Sequence, residues 1–597
     1  HRGNRLLASF PEIARAQLTA AFNAAQAVEK EGIKVNMEIM TALISNLPEF
    51  LLAKKQIEEV GAELGYAREK YKIGTMIELV NAGLLADKIA PHAEFISFGT
   101  NDLTQTLFGF SREDMGRTVG PTYVEKKFLN NEPFTVLDET TWLLVGIAIQ
   151  KARKANPKIK IGVCGEHGGD PVSVQRFRQA GVDYVSCSAY RVPVAYLQSA
   201  IDAILVKEGK PLPNPPEFKL FAEEEAMPAP REIRLIDGIK YAHSTQKAVV
   251  EAVIRVNNKE ISKEEAIGSL NLNLIKNYFN SPEGFPVWFV ESSEFQQILE
   301  WAQEIKTLDI EVLVKNKEEI EGLALSRAEG ITVQTEDTFL YNNIEAARRL
   351  IFAHTDDTRK KAMLDLASSQ YDFFEALFDA KNLKGRKVTI KLLDASLKSF
   401  IQGLTEKEID KLAGDLGIDK DKIHKDIAKY SELNPAFGNK GSRLALTFHP
   451  DLYKAQLMAI FLAGSRKEVT TEINIAVPFL IEAKEFIAMK ELIEEAANQV
   501  KKETNTKELK FNIIPEIATP RAALSAEQFA PEAEAVVIEA STLTNGVLGM
   551  TREDSKTFLP DYIRKGIYPK DPYKAIYEEG VGLLLREGIV RLRRENP

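Results

Sequence analysis

The chain is poor in three things: cysteine, surplus positive charge and long apolar runs. Two cysteines among 597 residues exclude a disulfide framework and point to a reducing compartment. The 77 basic side chains are outnumbered by 86 acidic ones, for a formal net charge of −9, and no basic block follows. Nucleic acid is therefore not expected as a partner. No window holds the ~18 uninterrupted apolar residues of a membrane helix, so no membrane is expected either. A signal-peptide pattern is missing too. His1-Arg2-Gly3 leads straight into helical periodicity, and the expectation is an interior piece of a longer, cytoplasmic protein. What remains is an ordinary globular balance, 44% hydrophobic and 27% charged, in a chain long enough for several domains.

The clearest division is 207–232, where Pro211, Pro213, Pro215, Pro216, Pro228 and Pro230 would break a helix or a central strand. This segment reads as a linker or an extended arm packed on a neighbour. Before it, Lys72–Ile77, Phe95–Phe98, Ile159–Val163 and Tyr184–Cys187 read as buried parallel strands. Leu79–Ile89, Thr140–Ala155 and Val172–Ala180 carry helical spacing between them. Such β-then-α alternation predicts a parallel sheet covered by helices, doubly wound or a barrel. The pattern does not choose between the two.

An internal repeat organises the rest. HRGNRLLASFPEIARAQLTAAF at 1–22 returns as NKGSRLALTFHPDLYKAQLMAIF at 439–461. LLADKIAPHAEF at 84–95 returns as LSAEQFAPEAEA at 524–535, LFGFSRED at 107–114 as VLGMTRED at 547–554, and KANP at 154–157 as RENP at 594–597. From the second pair onward the offset is a constant 440, which chance matches would not hold. The expected organisation is 1–206 as copy one, 207–232 as linker, 233–284 as a helical connector and 285–597 as copy two.

Two clusters in copy one carry chemistry. Gly99-Thr100-Asn101-Asp102 follows a predicted strand, and Glu78 follows the strand before it. One β–helix–β unit thus places Glu78 and Asp102 on one rim, a pair that suits Mg²⁺ with substrate oxygens and water. The bland alternative is that Glu78 caps a helix and Asp102 makes a local turn. Further on, Cys164 lies at a strand end within Gly162-Val163-Cys164-Gly165-Glu166-His167-Gly168-Gly169. An ordinary thiol, with a pKa near ~8.5, is mostly protonated at neutral pH and can donate a proton. Its alternative is a buried structural cysteine, which fits Cys187 better. Cys164, His167 and Cys187 do not have structural-zinc spacing.

YKIGTMIE, FISFGTNDLTQTLFGFSRED, IGVCGEHGGDP and DYVSCSAYRVPVAYL together resemble the C-terminal domain of the pyruvate, phosphate dikinases. The related phosphoenolpyruvate synthases share the Asn-Asp-Leu-Thr-Gln core but differ around the cysteine. The resemblance covers nearly all of 1–206. It implies an α/β fold of the (β/α)8 TIM-barrel type that binds pyruvate or phosphoenolpyruvate (PEP) with Mg²⁺. Glu78 and Asp102 match the metal ligands, and Glu78, Gly99, Thr100, Asn101 and Asp102 the substrate-binding residues. Cys164 matches the acid that protonates the enolate carbon. Phosphohistidine and ATP-binding domains, a homodimer, and the interconversion of pyruvate, ATP and phosphate with PEP, AMP and diphosphate are implied with it.

Several family parts are not in the sequence. No histidine has the Gly-Gly-x-Thr-Ser-His context of the shuttle residue, and the front strands of copy one, with the two phosphate-holding arginines, are expected upstream of His1. Copy two has a front half, at Leu299–Phe339 and Arg386–Leu393, but Gln334 and Lys391 stand where the arginines belong. Lysine keeps the charge and loses the bidentate fork. At the repeat offset Asp102 becomes Thr542, Asn101 becomes Ser541, Gly99 becomes Glu539 and Glu78 becomes Ala518, with Glu516 near enough to compensate. Copy two is therefore expected to be a degenerate barrel with a structural or dimer-forming role. A hybrid barrel, made from its front half and the back half of copy one, is not expected. The alternatives to an enzyme fragment are a non-catalytic scaffold or regulatory chain and, second, a phosphoenolpyruvate synthase.

Overall fold

The computed structural model describes residues 2–114, 119–210, 218–224, 245–272, 275, 290–321, 327–379, 383, 385–466, 469, 471–506 and 509–595. They fall into two compact units. The larger is His1–Glu224 with Val312–Ser326 and Ile331–Pro597; the smaller is Glu225–Glu311 with Arg327–Gly330. Most of the proline-rich segment lies outside the described residues.

The smaller unit is helical. Thr245–Asn257, Lys263–Gly268 and Ser293–Ile305 pack around Val253, Ala266, Phe295, Ile298 and Trp301. Ser262 and Glu265 close a reciprocal cap at the start of the second helix, satisfying two N–H groups left without helical partners.

The larger unit holds two sheets. The first runs in the order β1 (Met37–Thr41), β2 (Tyr71–Ile77), β3 (Phe95–Gly99), β4 (Lys160–Cys164), β5 (Tyr184–Val185), every pair parallel. The second has six strands: β6 (Glu311–Val314), β7 (Gly330–Gln334), β8 (Lys387–Lys391), β9 (Ile473–Val477), β10 (Phe511–Ile517) and β11 (Val537–Ile538), also in sequence order. The fold is α/β with parallel sheets that run strand after strand in one direction, as the arc of a barrel does. No described strand of one sheet pairs with the other, so the two halves do not build a hybrid barrel.

The strands form where the sequence reads as apolar and β-branched or aromatic. β3 is buried at every position, and β2 is buried at all but Lys72, which is exposed, and Met76, which is half-buried. The helix Glu139–Ala155 starts where the Asp138 carboxylate accepts the Thr140 N–H. Leu79–Ile89 is two short helices, Val80–Leu84 and Ala86–Ile89, instead of one. The fourth expected buried strand is half-buried and stops at Val185, because β5 is an edge strand with one neighbour. Cys187 is half-buried for the same reason. Beyond this edge the helix Val192–Lys207 exposes Tyr196, Leu197, Ile201 and Ile204, an apolar surface of the kind expected of an open barrel edge. Described residues just past the proline run pack closely: Phe218 meets the Trp142 ring edge-on at 5.7 Å, and Arg591 lies over Phe221. One continuous apolar core extends from Ala8 to Leu584 through both copies.

Candidate functional site

Register brings the predicted residues of copy one together. Ile77 pairs with Phe98 and Gly99 pairs with Cys164. Glu78, the Gly99–Asp102 turn and Cys164 therefore lie at the carboxyl ends of three adjacent parallel strands. That edge is where ligands bind in parallel α/β sheets and barrels.

Glu78 is 6% exposed and does not cap a helix; the helix Val80–Leu84 has no side-chain cap. Its carboxylate instead accepts the Leu43 N–H at 2.6 Å. Leu43 sits after β1 in left-handed backbone at φ 56°, a costly conformation for a leucine that marks a constrained turn. Gly99 makes this arrangement possible, since a β-carbon there would lie 2.6 Å from Glu78 Oε2. Burial, with the Asp102 charge beside it, pushes the Glu78 carboxyl up to about 7. Asp102 stands in the first turn of the helix Thr100–Phe108, where partial positive charge favours an anion. It does not cap that helix, and its carboxylate pairs with Arg2.

Cys164 is half-buried, with Sγ 3.6 Å from Met76 Sδ. Burial first, then the Glu78 and Asp102 charges, raise the thiol above its ordinary range. Such a thiol stays protonated at neutral pH. The loop behind it is tied down by His167, which sequence reasoning had not assigned a role. His167 is fully buried, with Nε2 2.8 Å from the Pro133 carbonyl and Nδ1 2.8 Å from Thr100 Oγ1. Burial lowers its pKa, so it is a neutral strut. Thr100 Oγ1 also lies 3.0 Å from the Cys164 carbonyl, and Asn101 Oδ1 accepts the Glu166 N–H at 3.4 Å. Arg2 and Leu43 were also missed. An arginine two residues into a chain and a backbone N–H in a loop leave no mark in a motif.

Among the described residues no three His, Cys, Asp or Glu side chains converge as a metal cage. The pair Glu78 and Asp102 still fits Mg²⁺, which takes one or two carboxylates and completes its shell with water and substrate oxygens. Two carboxylates on one rim, one of them buried and held near 7, would be stabilised by a cation between them.

The same edge of copy two is filled. Lys391, at the end of β8, is 8% exposed, with Nζ 3.1 Å from Glu516 Oε2 and 3.4 Å from Asp394 Oδ2. Lys440 adds a second ammonium 3.1 Å from Asp394. The surrounding carboxylates hold Lys391 well above its ordinary range against burial. Glu516 is engaged by this ammonium, and burial pushes it up to about 7. Phe479, in left-handed backbone like Leu43, points its N–H at Glu516 Oε1 at 3.4 Å. The scaffold has been kept, and a lysine supplies the positive charge.

Residues 1–202 and 290–585 match the family model described as PEP-utilising enzyme, PEP-binding domain. The chain belongs to this family. Both copies are included in the match, as the repeat implied. The chain is 48% identical over 204 residues to the chloroplastic pyruvate, phosphate dikinase of Mesembryanthemum crystallinum, covering 33% of this chain and 21% of that protein. It is 48% identical over 204 residues to chloroplastic pyruvate, phosphate dikinase 1 of Arabidopsis thaliana, with the same coverage. It is 46% identical over 211 residues to the pyruvate, phosphate dikinase of Clostridium symbiosum, covering 34% and 24%. The chain thus spans about a fifth to a quarter of these curated relatives. No helix among the described residues is long and apolar enough to cross a membrane.

Proposed function

We propose that copy one carries the pyruvate/PEP half-reaction of a pyruvate, phosphate dikinase-like phosphotransferase. The observation that carries this reading is the ladder-aligned edge, where two carboxylates and a protonated thiol meet at the Gly99–Asp102 turn. Phosphoryl passes between PEP and a histidine on a domain outside these residues, and that histidine is served by an ATP-binding domain. The complete reaction converts pyruvate, ATP and phosphate into PEP, AMP and diphosphate, and back. The organisation proposed for the chain is copy one at 1–206, linker at 207–232, helical connector at 233–284 and degenerate copy two at 285–597. Two free cysteines suit a reducing, cytoplasmic location or an organelle of the kind named for the plant relatives.

Glu78 and Asp102 would hold Mg²⁺. When bound, the ion supplies positive charge for the enolate oxygen and the phosphoryl oxygens. The substrate would lie against the Gly99–Asn101 turn, where the missing β-carbon of Gly99 leaves room for the Glu78 carboxylate. In the direction of pyruvate, the phosphoryl group leaves the enol oxygen for the histidine. Cys164 Sγ–H gives its proton to the methylene carbon, forming the methyl group and leaving a thiolate that solvent reprotonates. In the reverse direction the thiolate removes a methyl proton. The raised thiol pKa favours the loaded donor at neutral pH.

Cys164→Ala, placed in a protein that joins this chain to the histidine and ATP-binding domains, should abolish pyruvate formation and leave ATP-dependent histidine phosphorylation nearly unchanged. Equal loss of both would overturn the role given to Cys164. The scaffold alternative is separated by calorimetry of this chain with Mg²⁺ and pyruvate. Heat that disappears in Glu78→Gln favours the enzyme reading, and absence of heat in the parent chain favours the scaffold.

A further inference from the structure

Contacts between the two copies come in exchanged pairs. In one direction Arg5 donates to the carbonyls of Leu548 and Gly549; in the other its repeat counterpart Arg443 donates to the Gly109 carbonyl at 3.1 Å. Gly109 and Gly549 are themselves counterparts, each the left-handed residue closing its helix, at φ 58° and 57°. The Tyr562 hydroxyl donates to Glu49 at 2.7 Å, and the Tyr123 hydroxyl donates to Glu485. Lys565 Nζ donates to the Ala8 carbonyl at 2.9 Å, and Lys126 Nζ donates to the Leu446 carbonyl at 2.6 Å. Glu49, Glu485, Tyr123 and Tyr562 are fully buried in these contacts.

A contact set in which residue i of one body meets residue j of the other, and j meets i, is the mark of a two-fold, self-complementary interface. In a homodimer it joins two chains. Here it joins two segments of one chain. A covalent tether raises the effective concentration of the attached copy to about the millimolar range, so it outcompetes a second chain at ordinary protein concentrations.

We infer that copy two is a built-in dimer partner, occupying on the same chain the face through which copy one would otherwise pair with a second molecule. This gives the degenerate copy a function that does not need its ion-paired site. Arg443 reaches across to the carbonyl that ends the Thr100–Phe108 helix, the element whose first turn bears Asn101 and Asp102. The homodimer implied by the family resemblance is thus met internally. The inference stands whether or not copy one is catalytic.

The test uses Lys88 and Glu579, a half-exposed ion pair between the copies with Nζ and Oε1 2.5 Å apart. Equal amounts of light and ¹⁵N-labelled chain are unfolded together, refolded and treated with a zero-length carbodiimide. Digestion and mass spectrometry then read the Lys88–Glu579 peptide pair, with Glu579→Gln as the variant that should lack it. The expected result is all-light and all-heavy pairs only. Mixed pairs at about half of the total, as random exchange between two-fold partners gives, would overturn the inference. Absence of the cross-link would overturn it as well, because the two residues would then not meet. The readout is unaffected by association through other surfaces.

Discussion

At the residue scale, one missing β-carbon organises the site. Gly99 lets the Glu78 carboxylate stand against the strand beside it. Gly99→Ala should displace that carboxylate, cost about 1–3 kcal/mol of stability through overpacking, and remove Mn²⁺ binding measured by electron paramagnetic resonance. Gly414→Ala is the control. It lies on the helix Glu406–Leu416 with nothing within 4 Å of the new carbon, and should stabilise by up to about 1 kcal/mol. A second residue-scale effect belongs to His449, which burial and the Arg359 and Lys429 charges hold down at about 4. An unfolded histidine protonates near ~6.5, so as pH falls the unfolded chain binds a proton that the folded chain refuses. Stability is therefore lost between about 6.5 and 4, by at most about 3 kcal/mol. His449→Phe should flatten the melting temperature over that window, and an unchanged slope would refute this account.

At the element scale, the carboxyl ends of equivalent strands have taken opposite courses. In copy one the ends of β2, β3 and β4 bring two acids and a thiol to one edge. In copy two β8 and β10 present Lys391 and Glu516 to each other. Lys391→Met leaves the buried Glu516 carboxylate without its ammonium, while Asp394 keeps Lys440, and should cost about 3–5 kcal/mol. Adding Glu516→Gln removes the uncompensated charge, and urea denaturation of the double variant should recover most of the loss. Mn²⁺ binding by copy one should be the same in both variants. An equal loss in single and double variants would mean that the pair is not the source of the cost.

At the scale of the whole molecule, one core and one set of exchanged contacts bind the copies into a single body. Arg443 is a buried link between them, 1% exposed, donating to the carbonyls of Gly109, Phe437 and Gly438 and lying over the Phe110 and Phe479 rings. Arg443→Met should leave the Gly109 and Gly438 carbonyls without this donor, at about 1–3 kcal/mol each where no water enters, while the Phe437 carbonyl keeps the Ser111 N–H. In hydrogen exchange, amides at 100–110 should lose protection together with those at 437–448. Loss confined to 437–448 would show that the copies open independently.

Much of this was legible in the sequence for a physical reason. Buried parallel strands are short apolar runs, so β2, β3 and β4 stood out with ends within a residue of their observed positions. β1 did not, because Met37-Glu38-Ile39-Met40-Thr41 alternates between half-buried and exposed at a sheet edge. The repeat, its erosion in copy two and the residues Glu78, Gly99–Asp102 and Cys164 are local patterns that need no coordinates. Tertiary structure alone decided what those residues meet. Leu43 and Arg2 come to Glu78 and Asp102 from distant segments, His167 braces the loop from beneath, and Lys391 turns to Glu516 across a strand. Such pairings depend on register and on which faces the two copies bury together, and a linear sequence specifies these only through the fold as a whole. The sequence by itself thus determined the family, the repeat and the candidate acids. The structure decided that the repeat folds back on itself as its own partner, because self-complementarity is a property of surfaces.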